Sequence, residues 1–168
     1  MEFVEFGELT ERHRIELEGD EVDPFDAAGV TLRFRGKERH IALSDGGALV
    51  ASAGLTTATV VVQGQPFEVV GLGGVFVRAD RRGEGLARRI VDEAFARAST
   101  IGPAFMALFC HDDRAGLYER LGFAAIGPAV EVEQPDGFAA MDQVMMWRAF
   151  EPGAPWPEGP VTLYGFPF

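Results

Sequence analysis

The chain has 168 residues (18.2 kDa), with 26 acidic and 15 basic side chains for a net charge of −11. That length suits one domain, large enough to bury a core without disulfides or a structural metal, and 47% hydrophobic content excludes a disordered polymer. The acidic balance argues against nucleic-acid binding. The longest apolar run, Ala48–Leu55 broken by Ser52, is far short of the ~18 residues of a membrane span. Cys110 is the single cysteine, so no intrachain disulfide forms, and with three scattered histidines it makes no zinc cluster. Glu2 and Glu5 stand where a secretory leader carries Lys or Arg, and a reducing cytoplasm is the expected compartment.

Phe3–Phe6 reads as a first strand. Thr10 can cap a helix running to Glu18 and stopped by Gly19, weakly amphipathic through Ile15 and Leu17. Asp23-Pro24 predicts a turn into a second short helical piece ending at Gly29. Arg39–Ser44 is a strand, Asp45-Gly46-Gly47 a hairpin turn, Ala48–Val62 the returning arm, and Pro66–Val77 the next strand after a turn at Gly64. The period then changes: over Gly85–Thr100, Leu86, Ile90, Val91, Ala94, Phe95 and Ala98 share one helical face. Ala104–Phe109 is continuously apolar, as in a strand buried on both faces. Asp112 or Asp113 can cap a short helix to about Leu121, ended by Gly122. Phe123–Ile126 and Phe138–Ala149 read as two last strands, followed by a Pro-rich stretch, Glu151–Gly159, and an apolar end, Val161–Phe168. This order describes an α/β domain over 1–150 on a mixed sheet, with 151–168 a Pro/aromatic tail packed on that domain or at a dimer contact.

The strongest chemical signal is the run from Gly74 to Ala87, in which a buried strand enters a glycine-bearing turn that opens the long amphipathic helix. Free N–H groups and the dipole at a helix start bind anions, and Gly83 and Gly85 let backbone approach a phosphate closely. Arg81 and Arg82 add positive charge. The spacing is neither a dinucleotide-binding fingerprint nor a P-loop, since the third glycine and a Gly-Lys-Ser/Thr are both missing. A second segment, Phe109 to Phe123, follows the next strand.

Together the two segments resemble the GCN5-related N-acetyltransferase (GNAT) superfamily. Arg82-Gly83-Glu84-Gly85-Leu86-Ala87 matches its Arg/Gln-x-x-Gly-x-Gly/Ala turn, and Leu117-Tyr118 through Gly122-Phe123 matches its later tyrosine element. A narrower resemblance, to aminoglycoside 2′-N-acetyltransferases, rests on Gly74–Gly83, Arg114–Tyr118 and the aromatic end Trp156–Phe168. Those enzymes carry an acid where this chain has Gly73, which puts an aminoglycoside substrate in doubt.

The resemblance implies a GNAT fold with a mixed, mostly antiparallel sheet and flanking helices, acetyl-CoA as acetyl donor, and direct transfer to an amine. Val75, Phe76 and Val77 would hold the pantetheine arm, and Arg82, Gly83, Glu84, Gly85, Leu86 and Ala87 the pyrophosphate. Tyr118 would protonate the leaving thiolate, and His111 stands where many members have an asparagine contacting pantetheine. Cys110 reads as a small core residue. For the base, Glu68 leads, with Glu131, Glu133 and the carboxylate of Phe168 as others; Phe168 would meet the acceptor if the tail covers the cleft.

The expected acceptor is a small cationic amine, against the alternatives of a protein amine or a non-catalytic acyl-CoA sensor. The charge pattern is the reason: Met1–Asp26 holds ten acids and two bases, whereas Arg78–Arg97 holds six bases and four acids. This predicts a segregated field, basic for coenzyme A and acidic for the acceptor. Fourteen of the fifteen bases are Arg, and the lone lysine, Lys37, reads as composition bias.

Overall fold

The first two hairpin turns set the register of the sheet. In a computed structural model describing residues 1–127 and 129–168, Gly46 and Gly47 both take positive φ (60° and 87°), as do Gln63 and Gly64 (50° and 74°). Two consecutive left-handed residues make the tight turn that matches strand twist. They join β2 (Arg39–Asp45) to β3 (Ala48–Val62) and β3 to β4 (Gln65–Val77). β1 (Glu2–Phe6) adds to β2, and α1 (Glu11–Glu18) is capped by Thr10, whose hydroxyl accepts from the His13 N–H. Leu17 of α1 is buried, while Ile15 faces solvent.

Beyond β4 come a 3-10 turn (Ala79–Arg81), α2 (Leu86–Ala98), β5 (Phe105–Cys110) and α3 (Asp112–Glu119). Then follow β6 (Ala124–Ala125), β7 (Val130–Gln134), β8 (Gly137–Ala140), β9 (Val144–Ala149) and β10 (Val161–Tyr164). The strand order is β6-β9-β5-β4-β3-β10-β7-β8, with β2 attached to β3 and β1 to β2. Among the described residues, only β4–β5 and β10–β7 pair in parallel.

Alternation along the strands divides the core. Val70 and Leu72 of β4 and Met106 and Leu108 of β5 pack with Leu86, Ile90, Val91 and Ala94 of α2. The opposite side groups Val69, Phe105 and Ala107 with Val161, Leu163 and Phe168. Phe105 there packs edge-on to Trp147 and Trp156 at 5.5 and 5.2 Å between centroids. No helix among the described residues is long and apolar enough to cross a membrane.

Four local expectations are corrected. Residues 24–29 form turns rather than a helix, because the Asp23 carboxylate accepts from the Ala27 and Ala28 N–H groups and pins the loop (2.6 and 2.8 Å). Residues 138–149 are two strands separated by 141–143, β8 pairing with β7 and β9 with β5. Phe123–Ile126 contains only the two-residue β6, and His111, not an aspartate, stands at the N-cap of α3.

β10 lies inside the sheet. β3 gives one part of its edge to β2 (Ala48–Leu55) and another to β10 (Thr59–Val62). Between them, Thr57 is satisfied by side chains: its N–H donates to Glu38 (3.4 Å) and its carbonyl accepts from Arg35 (3.0 Å). Arg35 also donates to the carbonyls of Tyr164 (2.9 Å) and Phe166 (2.5 Å), and its N–H donates to Pro167 (2.8 Å). One half-buried arginine thus fixes the last residues across the joint.

Candidate active site

The site begins where two parallel strands part. β4 and β5 pair from Val70↔Met106 to Leu72↔Leu108; beyond that β4 continues along β3 and β5 along β9. The β3–β4 register slips between Ser52 and Gly54, opposite Gly74 at φ +58°, a bulge that turns β4 away from its neighbour. The resulting cleft, of about 610 Å³, has Gly73, Gly74, Val75, Phe76 and Val77 on one wall and Phe109, Cys110 and His111 on the other.

At its far end the cleft meets the start of α2. Gly83 and Gly85 take φ of +87° and +76°, which side-chain-bearing residues adopt only under strain, and no atom lies within 4 Å of where a Cβ would stand. Gly85 is the N-cap, no side chain caps the helix, and its first turn holds no acid. The N–H groups of this turn, unpaired within the helix, therefore face open space. Arg82, Gly83, Gly85, Leu86 and Ala87 line the cleft; Glu84 does not, its carboxylate being held by Arg81 at 2.7 Å. Arg81 is also paired with Asp45 (3.0 Å), so of the two arginines expected to meet phosphate only Arg82 is on the cleft. Arg82 reaches both carboxylate oxygens of Glu21 (2.7 and 2.8 Å).

Tyr118, on α3, closes the inner end. It is buried, stacks edge-on to Phe123 (5.9 Å), and its hydroxyl has no hydrogen-bond partner among the described residues. Burial, with Cys110 beside it, pushes its pKa up to about 12, so the phenol keeps its proton. Burial likewise pushes the Cys110 thiol up to about 11, the wrong direction for a nucleophile. His111 lines the cleft with a buried Nε2 that lacks a partner, a polar atom left for a ligand to satisfy.

A second cavity, of about 470 Å³, opens on the other side of the bulge and shares Phe25, Gly74 and Phe76 with the cleft. Glu8, Arg14, Glu18, Lys37 and His40 line it. Sequence marks Lys37 only as the lone lysine and gives His40 no role. Burial, then the Arg35 charge, lowers the Lys37 pKa to about 8, and burial, then Lys37, lowers that of His40.

Of the expected bases, the three glutamates line neither cavity, whereas the end of Phe168 reaches Gly73. Glu68 is exposed, pairs with Thr59 well before the strands part, and lines neither cavity. Glu131 is exposed, and Glu133 accepts from the Gly165 N–H (2.5 Å). The Phe168 ring is buried against Phe109 (5.1 Å), and its main-chain carbonyl carbon lies 2.9 Å from where a Gly73 Cβ would stand.

The expected charge segregation is also corrected. Glu8 and Glu18 face the smaller cavity, but Glu21, Asp23 and Asp26 of the same acidic block face the cleft, with Glu21 on Arg82 and Asp26 on Arg114 (3.2 Å).

Residues 23–126 match the acetyltransferase (GNAT) domain family model, and the chain belongs to that family, whose members take an acetyl group from acetyl-CoA. No curated protein matches the sequence. Among solved structures it is similar in fold to the GNAT family N-acetyltransferase YhbS of Escherichia coli in complex with CoA (19% identity, TM-score 0.57, covering 95% of this chain and 88% of that one). It is also similar to a GNAT acetyltransferase of Brucella melitensis with acetyl-CoA (18%, TM-score 0.56, 95% and 94%). An aminoglycoside 6′-N-acetyltransferase complexed with coenzyme A is a further fold relative (14%, TM-score 0.55, 94% and 100%).

Proposed function

We propose that this acetyltransferase moves the acetyl group of acetyl-CoA directly to the primary amine of a small acceptor seated in the 470 Å³ cavity. The observation that carries the reading is the junction of the two cavities at Gly74 and Phe76, beside the bulge. A thioester laid along the cleft meets an amine there without either leaving its own pocket.

The residues present suit coenzyme A. The uncapped start of α2 and Arg82 would take the pyrophosphate. The backbone of Val75–Val77, freed from β5, would pair with the pantetheine amides, and a backbone N–H at the bulge would polarise the thioester carbonyl. His111 Nε2 would gain a partner on the same arm. Tyr118, kept protonated, would give its proton to the departing thiolate.

The smaller cavity holds two acids, Glu8 and Glu18, against Arg14 and Lys37. That mixed lining supports an acceptor with one ammonium rather than a polycation. Lys37 Cε and Nζ occupy the space a Gly73 side chain would take, so no acid stands there, which weighs against the aminoglycoside 2′ reading. The test is release of free thiol from acetyl-CoA across a panel of primary amines, with calorimetry for coenzyme A. Coenzyme binding without amine-dependent thiol release would leave only a binding module.

A further inference from the structure

Three glycines clear a slot across the sheet. Gly54 of β3 and Gly73 of β4 are cross-strand partners, and His40 of β2 is the next residue in the same row. Cross-strand partners share a face, so two absent side chains leave a channel beside His40. Lys37 fills it: a Cβ on Gly54 would collide with the Lys37 Cβ and Cγ, and one on Gly73 would stand 2.5 Å from Cε and 3.1 Å from Nζ. Gly71, the third, faces the Phe168 ring. The amine of Lys37 thus ends where a Gly73 side chain would stand, next to Gly74, where the two cavities meet.

Its surroundings disfavour a permanent charge. Nζ makes one hydrogen bond, to the Arg35 carbonyl at 3.1 Å, whereas an ammonium has three protons to place. Arg35 and Glu38 flank it on its own segment, His40 faces it from β2, and Glu8, Arg14 and Glu18 line the cavity before it. The Phe168 main-chain carbon approaches the same point from the tail; carried as a carboxylate, that group opposes the effect of burial and Arg35. Fourteen other basic side chains are all Arg, which cannot give up a proton; the only amine side chain lies at the site.

We infer that Lys37 is the proton acceptor for the acceptor amine, an assignment that rests on the acetyltransferase reading above. In the step, neutral Nζ takes one proton from the acceptor ammonium. The C–N bond forms as the C–S bond breaks, Tyr118 gives its proton to the thiolate, and the second proton shed by nitrogen restores Tyr118. Solvent then removes the proton from Lys37, so the balance is one amide, one thiol and one released proton.

The test compares wild type with Lys37→Arg and Lys37→Met, using the best amine from the panel and its less basic β-fluorinated counterpart. Coenzyme A affinity, measured by calorimetry, stays level. With the basic amine at neutral pH, kcat/KM falls about 100-fold or more in both variants, and the acid limb of the wild-type pH profile, near pH 8, is lost. With the fluorinated amine, already unprotonated, the loss shrinks to about tenfold or less. Lys37→Gln replaces Lys37→Met should that variant not fold. Turnover by Lys37→Arg equal to wild type, or an equal loss with both amines, overturns the assignment alone. A wild type that binds coenzyme A but acetylates no amine overturns the acetyltransferase reading and this assignment with it.

Discussion

Glu21 holds Arg82 through both carboxylate oxygens, 2.7 and 2.8 Å from the same guanidinium nitrogen. Arg82 is the arginine of the glycine turn that faces the cleft, so a phosphate arriving there competes with a resident carboxylate. Glu21→Gln removes both the competitor and a negative charge on the wall of an anion site. The pair is solvent-exposed, which limits the gain to about 1 kcal/mol or less, a few-fold in coenzyme A affinity. Calorimetry at low and high salt checks it: the gain shrinks as salt rises. Unchanged or weaker binding by the variant would mean that Glu21 does not compete for the phosphate site.

Tyr118→Phe tests the proton donor. The hydroxyl has no partner to lose among the described residues, so packing against Phe123 survives the change. Under the proposed mechanism kcat drops by about 10²–10⁴ while coenzyme A affinity holds. Rates within twofold of wild type would remove Tyr118 from the chemistry.

The two buried acids of the cleft make stability fall in alkali. An unfolded chain releases the Cys110 proton near its ordinary pKa of 9.0 and that of Tyr118 near 10.0, while the folded chain holds them to about 11 and about 12. Between pH 9 and 12 the native state therefore binds more protons, so this contribution is complete below pH 9 and is lost as pH rises. For Tyr118 the loss is on the order of 2–3 kcal/mol. Urea unfolding at mild and strongly alkaline pH measures it, and Tyr118→Phe shows the shallower decline. Equal slopes for the variant and wild type would contradict the burial effect.

Local signals carried much of the fold into the sequence. The change of hydrophobic period marks α2, paired glycines mark the hairpins, and Gly83 and Gly85 mark the anion-facing turn because few other residues take their backbone angles. Contacts distant in sequence were hidden. β10 between β3 and β7 depends on β3 dividing its edge, which no period records. Glu68 is an acid on the strand entering the site, but four residues of extended chain separate it from Gly73. Lys37 sits in a segment without periodicity, and its place over Gly54 and Gly73 exists only once three strands are aligned. The one available hint was compositional, a single lysine among arginines.

Gly71 and Phe168 offer a direct test of how the tail is seated. Gly71 is held on both sides, by Thr56 of β3 and Ala107 of β5, so its backbone has little room to move. A Cβ there would stand within 2.6 Å of three atoms of the Phe168 ring, and the ring, 4% exposed and packed on Phe109, is the part that must give way. Gly71→Ala should cost about 1–3 kcal/mol by overpacking. Phe168→Ala should cost a few kcal/mol, about 3–5 in a fully packed site, through the cavity it leaves. In the double variant the new methyl enters space the ring has vacated, so the combined cost is less than the sum by about 1–2 kcal/mol. Urea unfolding of the four proteins measures the coupling. Strict additivity would mean that the ring does not lie over Gly71, and the slot that also admits Lys37 would lose its outer wall.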